Sequence, residues 1–540
     1  MQQNRSVDIV EKRFKLRSFL ENRVRKLIPQ SSEIAKGGVR LKEISYIDAV
    51  NNNVFEDIYK KRMVVIIPAH NEESSIGKVL KSISEQKVPE ELTLTVFVSL
   101  DNCTDNTKKV IDEKSKEYGI QELYCLTTVA NKERKVGAMN QIYQLFYGNL
   151  SATENKEVGI NTKIAVGNIE CFVCMDADVY IGKDCLFTLW NEANSRCDIG
   201  AVSANYTCLI PDDIKKIPRS IPNREDILEH GEYGNSLNRW WVVQQNREFA
   251  DWTIKQKARS YFAEIAGGQC TLFKREALEE VRSNYKLNGM YDNITDTEDL
   301  LLTQYIRFVG WKCLISKSAR CYVDSMKNYT TYKAQRIKWV SGTTDYMLMD
   351  GLKTKYSRLL WGQETALFLN LLIRLMLIVL IPLSIATGTF EWNWFWIAPL
   401  LLANVLNTII TLKTPNKRII DIILSLIGIS PEIYLWITLN IHIKVWADKL
   451  KINKIDGWAE QYKAESGDSE NKYLFKLLII LIAVGMVFIN SKYNIVNVDR
   501  ILDYLKYYIP GGFRVLTILT FITSIIMIEK ILKLRGHHKA

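Results

Sequence analysis

The stretch MVVIIPAHNE, residues 63–72, decides the fold. Its first five residues are apolar and four of them are β-branched, which is typical of a strand buried on both faces. The chain then changes at Pro68 from apolar to polar residues. Strands of this kind belong to parallel sheets covered by helices, so the stretch predicts an α/β fold.

Three further runs repeat this pattern, and each is followed by a polar loop and a helix candidate. They are LTVFVSL (94–100), LYCLTTV (123–129) and IECFVCM (169–175). Ligands of such sheets bind beyond the carboxyl ends of the strands. The loops in that position are 68–72, 101–105, 132–140 and 176–178, of which three are rich in carboxylates and one is basic. This combination suits a metal ion and a pyrophosphate.

The C-terminal third has a different composition. Residues 365–388 and 391–412 are apolar runs of about 20 residues, the length that crosses a bilayer as helix. Weaker runs follow at 419–441, 474–490 and 512–530. We therefore expect the following division: a basic segment 1–60, an α/β domain 61–345, an interfacial connector 346–364, a membrane region 365–530 with four to five spans, and a basic tail 531–540.

Charge predicts the orientation in the membrane. The first thirty residues lack the apolar core of a signal peptide, so the α/β domain is expected in the cytosol of an integral protein of the cell membrane. If 419–441 crossed fully, the Lys-containing stretch 444–472 would lie outside, against the positive-inside tendency. A re-entrant segment kinked at Pro431 avoids this and is the favoured interpretation.

The formal charge of +11 does not indicate nucleic acid, because Lys and Arg lie near membrane boundaries and in the N-terminal segment. Anionic membrane lipids are the better partner. Residues 5–28 place apolar residues at helical spacing among basic ones, which predicts an interfacial helix; a helix packed on the protein's own surface is the alternative.

Five motifs in order resemble one family. They are PAHNE (68–72), LDNCTD (100–105), DAD (176–178), TED (297–299) and QRIKW (335–339). Over residues 60–345 the chain resembles the processive family 2 glycosyltransferases, the cellulose, chitin and hyaluronan synthases. The resemblance implies a GT-A fold, inverting transfer from a UDP-sugar, and a divalent cation, Mn²⁺ or Mg²⁺.

In the DAD motif, two carboxylates flank a small residue at the end of a strand, and hard oxygen ligands suit Mg²⁺ or Mn²⁺ held jointly with a diphosphate. The alternative is a plain loop whose acidic residues cap the next helix. The resemblance makes Asp178 the metal ligand and places Asp176 on the nucleotide side.

Asp299 is the expected general base, since an inverting transfer needs a carboxylate that removes the proton of the attacking hydroxyl. Glu298 would assist it or bind the acceptor. Alternatively, Thr297 is the N-cap of a helix over 298–308 and both acids favour its positive end; the two roles are compatible.

The resemblance assigns donor binding to Asp101, Ala69, Asn71 and Glu72, and the pyrophosphate to Lys135. The chain departs from the commoner Asp-Asp-Gly-Ser pattern by having Leu100 where the first Asp stands. A structural alternative for Glu72 and Glu73 is favourable charge in the first turn of a helix.

For the acceptor and pyrophosphate side the candidates are Gly268, Gln335, Arg336, Lys338 and Trp339. Gly268 allows close approach of the backbone to a ligand, or simply ends a helix. Lys338 stands where the family has Arg, so a less directional phosphate contact is expected, with Arg336 compensating. Trp339 would stack on a sugar; a membrane anchor is the alternative.

The sequence therefore predicts a UDP-sugar-dependent polymerase that extends a saccharide acceptor and secretes the product. Two alternatives remain: a nonprocessive enzyme acting on a lipid-linked acceptor, and a transporter or scaffold that binds a nucleotide without turnover. The sugar, the linkage and any accessory subunit are left open.

Overall fold

The computed structural model describes residues 44–46, 61–120, 122–147, 168–208, 236–414, 417–450, 461 and 499–535. The chain divides into two compact units, residues 1–327 and 328–540. The helix predicted within 5–28 and the span predicted at 474–490 lie outside the described residues.

The described part of the first unit forms a nine-stranded mixed sheet with the order β1-β4-β3-β2-β5-β8-β7-β9-β6. The strands are β1 Ile44–Tyr46, β2 Lys61–Ala69, β3 Leu92–Leu100, β4 Leu123–Thr127, β5 Ile169–Met175, β6 Tyr180–Ile181, β7 Ile199–Cys208, β8 Cys270–Lys274 and β9 Lys312–Val323. The four strands predicted from sequence, β2 to β5, pair in parallel as β4-β3-β2-β5. Antiparallel pairing of β8 with both β5 and β7 makes the sheet mixed. The α/β fold of the GT-A type is confirmed.

Seven described helices accompany this sheet. They are α1 Ile76–Ser84, α2 Thr107–Glu117, α3 Arg134–Tyr147, α4 Cys185–Asn194, α5 Ser236–Ala258, α6 Arg275–Tyr285 and α7 Glu298–Phe308. The core of MVVIIP is fully buried, as its apolar composition requires.

Helices α3 and α7 share one hydrophobic core with the sheet. Ile142 and Tyr143 of α3 and Leu302 of α7 pack in one buried cluster with Ile66 and Phe172 of the central strands. Each helix begins at residues that the sequence assigns to catalysis or binding, Lys135 in α3 and Glu298 in α7. The packed core therefore fixes where those two helix starts lie.

The described part of the second unit is helical. Its elements are α8 Tyr329–Asp350, α9 Lys355–Thr387, a 3₁₀ turn Trp394–Trp396, α10 Ala398–Lys413, α11 Ile419–Ile427, α12 Ile429–Leu450 and α13 Asp499–Arg535. Three helical stretches are long and apolar enough to cross a membrane: Lys355–Thr387, Trp394–Lys413 and Asp503–Leu532. The runs predicted as spans at 365–388 and 391–412 thus lie in helices that are long and apolar enough to cross a membrane, as predicted.

Helices α11 and α12 meet at an angle of 69°, a geometry that fits either a broken span or a re-entrant loop. The bend falls at Gly428, whose φ of 87° is left-handed, and a side chain there would overlap Asn404. Pro431 was expected to be the kink. It lies instead in the first turn of α12, where the missing N–H costs no helical hydrogen bond.

Charged side chains inside the second unit pair with each other. The Arg374 guanidinium donates from Nε and Nη2 to the Glu432 carboxylate at 2.6 and 2.8 Å, and from Nη1 to Asn370 at 3.3 Å. Arg374 and Asn370 therefore contact other protein groups within the first apolar run. The Glu364 carboxylate likewise contacts His442 Nδ1 at 2.7 Å and Trp446 Nε1 at 3.1 Å, so polar contacts join α12 to α9 at two places along its length.

We predict that Arg374→Leu lowers the stability of the full chain in detergent. The pair is half-buried, with side chains 14% and 33% exposed, so breaking it from one side should cost up to about 3 kcal/mol, the lower end of the range for a fully buried pair. Arg374→Leu/Glu432→Leu removes both charges and should recover most of the loss. Lys114→Gln, which breaks an exposed pair with Glu117, serves as the control and should cost less than about 1 kcal/mol. Thermal unfolding measures all four proteins, and a double variant less stable than Arg374→Leu would contradict the prediction.

Candidate active site

The loops after β2 and β3 are hydrogen-bonded to each other. The parallel register sets Ala69 level with Leu100, and the N–H of Asp101 donates to the Ala69 carbonyl at 2.8 Å. Asn71, with a φ of 57°, accepts from the N–H of Thr104 at 2.8 Å. Asn tolerates this left-handed conformation better than most residues. Two candidate donor-binding residues, Ala69 and Asn71, are thereby placed beside a third, Asp101.

The carboxylate of Asp101 is buried and held on one side. Its Oδ1 accepts from Asn131 Nδ2 at 2.7 Å, Asn102 Nδ2 at 2.9 Å and Thr128 Oγ1 at 3.0 Å. No described residue hydrogen-bonds to its Oδ2. Three donors on one oxygen fix the orientation of the group and leave the other oxygen for a ligand.

Glu72 and Glu73 were given the alternative of lying in the first turn of a helix, and this is wrong. Helix α1 begins at Ile76, and both residues belong to the turn before it. Glu72 accepts the Ile76 N–H at its carbonyl and the Ser75 hydroxyl at its carboxylate. Glu73 accepts the N–H of Asn106 at 2.9 Å. Their hydrogen bonds stabilise the loop before α1, and neither carboxylate lies in the first turn of that helix.

An ammonium group joins the basic loop to the two acidic motifs. Lys135 Nζ lies 2.5 Å from Asp176 Oδ1 and 3.7 Å from Glu298 Oε1, and the lysine side chain is only 18% exposed. Burial favours the neutral amine, but the charges of Asp176 and Glu298 outweigh it and raise the pKa of Lys135. Lys135 therefore remains a cation where candidate nucleotide and catalytic residues meet.

Asp299 receives two backbone donors. Its Oδ2 accepts the N–H of Gly268 at 3.3 Å, and its Oδ1 accepts its own neighbour's N–H, that of Leu300, at 2.8 Å. Burial, followed by the charge of Glu298, raises the pKa of Asp299 to about 6, while Lys135 and the two N–H groups oppose the rise. A carboxylate with a pKa near neutrality is suited to accepting a proton.

Helix α7 has the bounds predicted from the sequence, 298–308, but its N-terminal cap differs from the prediction. Thr297 occupies the N-cap position, yet its side chain makes no capping hydrogen bond. The hydroxyl is buried and has no hydrogen-bond partner among the described residues.

The Gly267–Gly268 pair does not end a helix, so that alternative is wrong. Helix α5 ends at Ala258, and the glycines come directly before β8. A Cβ atom on Gly268 would lie 2.5 Å from Lys135 Nζ. Glycine is needed here because the backbone passes against the ammonium group.

The two Asp residues of the DAD motif follow β5 and have the chemistry of a cation site. Burial, and then the charges of Asp176, Glu72 and Asp324, raise the pKa of Asp178 well above its ordinary value. Within the described ranges, no set of three or more His, Cys, Asp or Glu side chains is arranged to hold a metal ion. Mg²⁺ is commonly held by one or two carboxylates together with substrate phosphates, so this pair fits such an ion.

Comparison with known proteins identifies the family. A family model described as glycosyltransferase like family 2 matches residues 61–342, which is over half of the chain. The chain belongs to this family. The match covers strands β2 to β9 and includes the DAD and TED motifs and Gln335–Trp339.

The curated relatives are polysaccharide synthases. The glycosyltransferase is 21% identical over 296 residues to a poly-β-1,6-N-acetyl-D-glucosamine synthase of Staphylococcus epidermidis, covering 54% of this chain and 57% of that one. It is 20% identical over 292 residues to the protein of the same name from Staphylococcus aureus strain COL, covering 54% and 56%. The chain thus spans little more than half the length of these relatives. Among solved structures, a mannosyltransferase from Pyrobaculum calidifontis in complex with GDP-Man and Mn²⁺ is 15% identical, covering 92% of this chain and all of that one, with a TM-score of 0.34.

The Gln335–Trp339 motif lies in α8 of the second unit. The Arg336 guanidinium carbon is 4.1 Å from the Trp339 ring centroid and 4.7 Å from that of Tyr332. Arg336 and Lys338 are both buried, while Trp339 is half-buried. One face of the Trp339 indole is therefore covered by a cation within its own helix.

Sequence reasoning missed the amides that hold the site loops. Asn131 bonds to Asp101, and Asn140 pairs in both directions with the backbone of Tyr291, donating at 2.9 Å and accepting at 2.8 Å. One signal was available in the sequence. Gly137 lies within the basic loop predicted at 132–140; the structure instead begins α3 at Arg134, and a glycine inside a helix indicates close packing.

We predict that Gly268→Ala disables the site without unfolding the protein. The new methyl group displaces the Lys135 ammonium from Asp176, and a displacement of about 1 Å costs roughly 100-fold in turnover. Gly182→Ala is the matched control, because a Cβ there would meet the Arg320 carbonyl oxygen at an ordinary 3.7 Å. Sugar transfer and thermal unfolding are measured for both, and wild-type turnover in Gly268→Ala would contradict the prediction.

Proposed function

We propose that this glycosyltransferase moves a sugar from a UDP-sugar to the end of a growing polysaccharide, with inversion and with Mn²⁺ or Mg²⁺, at the cytosolic face of the cell membrane. The observation that carries the proposal is the position of Lys135 between Asp176 and Glu298. The Lys135 ammonium therefore brings together the DAD motif, assigned to the donor and the metal, and the TED motif, assigned to catalysis.

Asp101 is assigned to the uridine, because its Oδ1 is held by three donors and Oδ2 can accept from the base or ribose. Ala69, Asn71 and Glu72 shape the same end of the sheet. Lys135 and Asp176 are assigned to the side of the pyrophosphate.

Electrostatics supports a divalent cation. Asp176, Glu298 and Asp299 lie near the Lys135 ammonium, and Asp178 lies near Asp176, so a diphosphate would add negative charge to a group of carboxylates. Asp178 would hold the ion with Asp176. When bound, the ion would offset the charge that develops on the leaving diphosphate.

Asp299 is assigned the role of general base. Its carboxylate takes the proton from the acceptor hydroxyl as that oxygen attacks the anomeric carbon on the face opposite UDP, and this attack inverts the configuration. Glu298, buried beside it, helps to keep its pKa near neutrality and holds Lys135 in place.

The acceptor is assigned to Gly268 and to the Gln335–Trp339 motif. Because Arg336 stacks on Trp339, we assign it to orienting the indole rather than to replacing the arginine expected at Lys338. We assign the face of the indole opposite Arg336 to the sugar. Gln335 and Lys338 remain assigned to the acceptor and pyrophosphate.

The relatives make UDP-N-acetylglucosamine the first donor to test. Full-length protein in detergent is given a panel of UDP-sugars, and UDP release and product length are followed. Products of many sugars support polymer extension. Single-sugar products leave transfer intact and favour the nonprocessive alternative. No UDP release with any donor would overturn the proposed function.

We predict that activity depends on an ionised Asp299. A base must be deprotonated to accept a proton, so kcat/KM should fall about tenfold per pH unit below a pKa of about 6. Asp299→Asn removes the base and should lower kcat about 10²–10⁴-fold while donor binding persists. Asp198→Asn, at a carboxylate paired with Lys312, is the control and should keep wild-type turnover. Full activity in Asp299→Asn would refute the assignment.

We also predict that EDTA abolishes transfer and that added Mn²⁺ or Mg²⁺ restores it. Asp178→Asn removes a charged oxygen ligand, so the ion concentration for half-maximal activity should rise by about tenfold or more. Binding of Mn²⁺, followed by electron paramagnetic resonance in the presence of UDP, gives a readout besides activity. Unchanged ion affinity in Asp178→Asn would contradict its role as a ligand.

A further inference from the structure

The Asn131 side chain joins two parts of the site that lie in different loops. Its Nδ2 donates to Asp101 Oδ1 at 2.7 Å and to the Arg134 carbonyl at 2.7 Å, while its Oδ1 accepts the N–H of Glu133 at 3.0 Å. All of the polar capacity of this amide except one lone pair is thereby used. The Arg134 carbonyl belongs to the peptide group that leads into Lys135, so the bridge runs from Asp101 to the residue that carries the ammonium.

The loop around Asn131 has a conformation that needs such support. Ala130 and Arg134 have φ angles of 50° and 54°. Each left-handed residue that is not glycine costs about 1–2 kcal/mol. The Asn131 bonds to Glu133 and Arg134 span this segment and stabilise it just before α3 begins.

Gly137 makes room for the amide. A Cβ atom built on Gly137 would fall onto Asn131 Oδ1 and lie 2.8 Å from Asn131 Cγ and 3.0 Å from Glu133 Cβ. Glycine inside a helix costs roughly 1 kcal/mol relative to alanine. Here that cost is offset by the packing of the Asn131 side chain against the first turn of α3.

We propose that Asn131 is a positioning residue that couples the nucleoside-binding carboxylate, Asp101, to the placement of Lys135 against Asp176 and Glu298. This rests on the proposed function for the identity of the nucleoside. When uridine engages Asp101, the bridge holds the start of α3 so that Lys135 stays at the cluster. Asn131 itself touches neither the sugar nor the acceptor.

The coupling predicts two different kinetic effects. Loss of one hydrogen bond to Asp101 alone should weaken binding of the UDP-sugar and raise the KM for that substrate. Loss of the bridge should in addition let the ammonium move, and this lowers kcat. A residue that only supports the fold would change stability without separating KM from kcat.

The test compares Asn131→Ala with Thr128→Val in the full-length protein. Thr128 donates to the same Asp101 oxygen at 3.0 Å but contributes no hydrogen bond to the Asn131–Lys135 segment. Asn131→Ala should lower kcat about tenfold or more and raise the donor KM, whereas Thr128→Val should raise KM with little change in kcat. If Asn131→Ala changes KM alone, like its control, the coupling is refuted.

Gly137→Ala tests the bridge from the other side. In the wild-type background the added methyl group pushes the amide away and should lower kcat. In the Asn131→Ala background that clash is gone, so the double variant should have a kcat no lower than that of Asn131→Ala. Additive losses would refute the proposal.

Chemical labelling of Lys135 gives a readout that does not require turnover. Acetic anhydride reactivity, followed by mass spectrometry, should rise in Asn131→Ala and stay at the wild-type level in Thr128→Val. If no donor is turned over but this labelling pattern is found, the proposed function fails and the positioning role stands. Equal labelling in both variants refutes the positioning role.

Discussion

The Lys135 ammonium lies between carboxylates that would otherwise repel one another, and the arrangement of the site depends on it. At 4 Å, two like charges near a protein surface repel by about 4 kcal/mol. Asp176 and Glu298 come from a strand end and a helix start, respectively, and a cation between them lets both motifs approach. The backbone of Gly268 then passes closely enough to donate to Asp299, because no side chain intervenes.

The fold brings these groups together through packing rather than through the charges alone. Helices α3 and α7 pack against the same buried cluster of the sheet. Their first residues are therefore fixed at one end of the strands. Apolar burial of this extent outweighs the contribution of single polar contacts to stability. The core therefore supports an otherwise unfavourable concentration of charge, and such concentrations are typical of functional sites.

The sequence predicted what depends on local pattern and missed what depends on distant contacts. Buried strands are identified by their apolar composition, so residues 63–68 and the three later strands were predicted correctly. The loop predicted at 132–140 was too long, because α3 begins at Arg134. The antiparallel strand β8 was not singled out, because its pairing with β5 joins segments about a hundred residues apart. Asn131 was missed for the same reason, since an amide thirty residues from its partner has no periodicity to identify it. The bend at Gly428 was assigned to Pro431 because proline is the commoner cause of kinks, whereas a proline in the first turn of a helix causes none.

The departure at Leu100 has a structural explanation. Leu100 is the last residue of β3, paired with Ala69 and only 3% exposed. A carboxylate there would lose its hydration among apolar neighbours unless it found partners. In this chain the carboxylate belongs to the next residue, Asp101, and it accepts hydrogen bonds from Asn131, Asn102 and Thr128. Amides and a hydroxyl thus surround one acid where the commoner pattern has two. With Asp101 assigned to the donor, as proposed, this arrangement would place less negative charge beside the diphosphate and would make donor recognition depend on the loop that also carries Lys135.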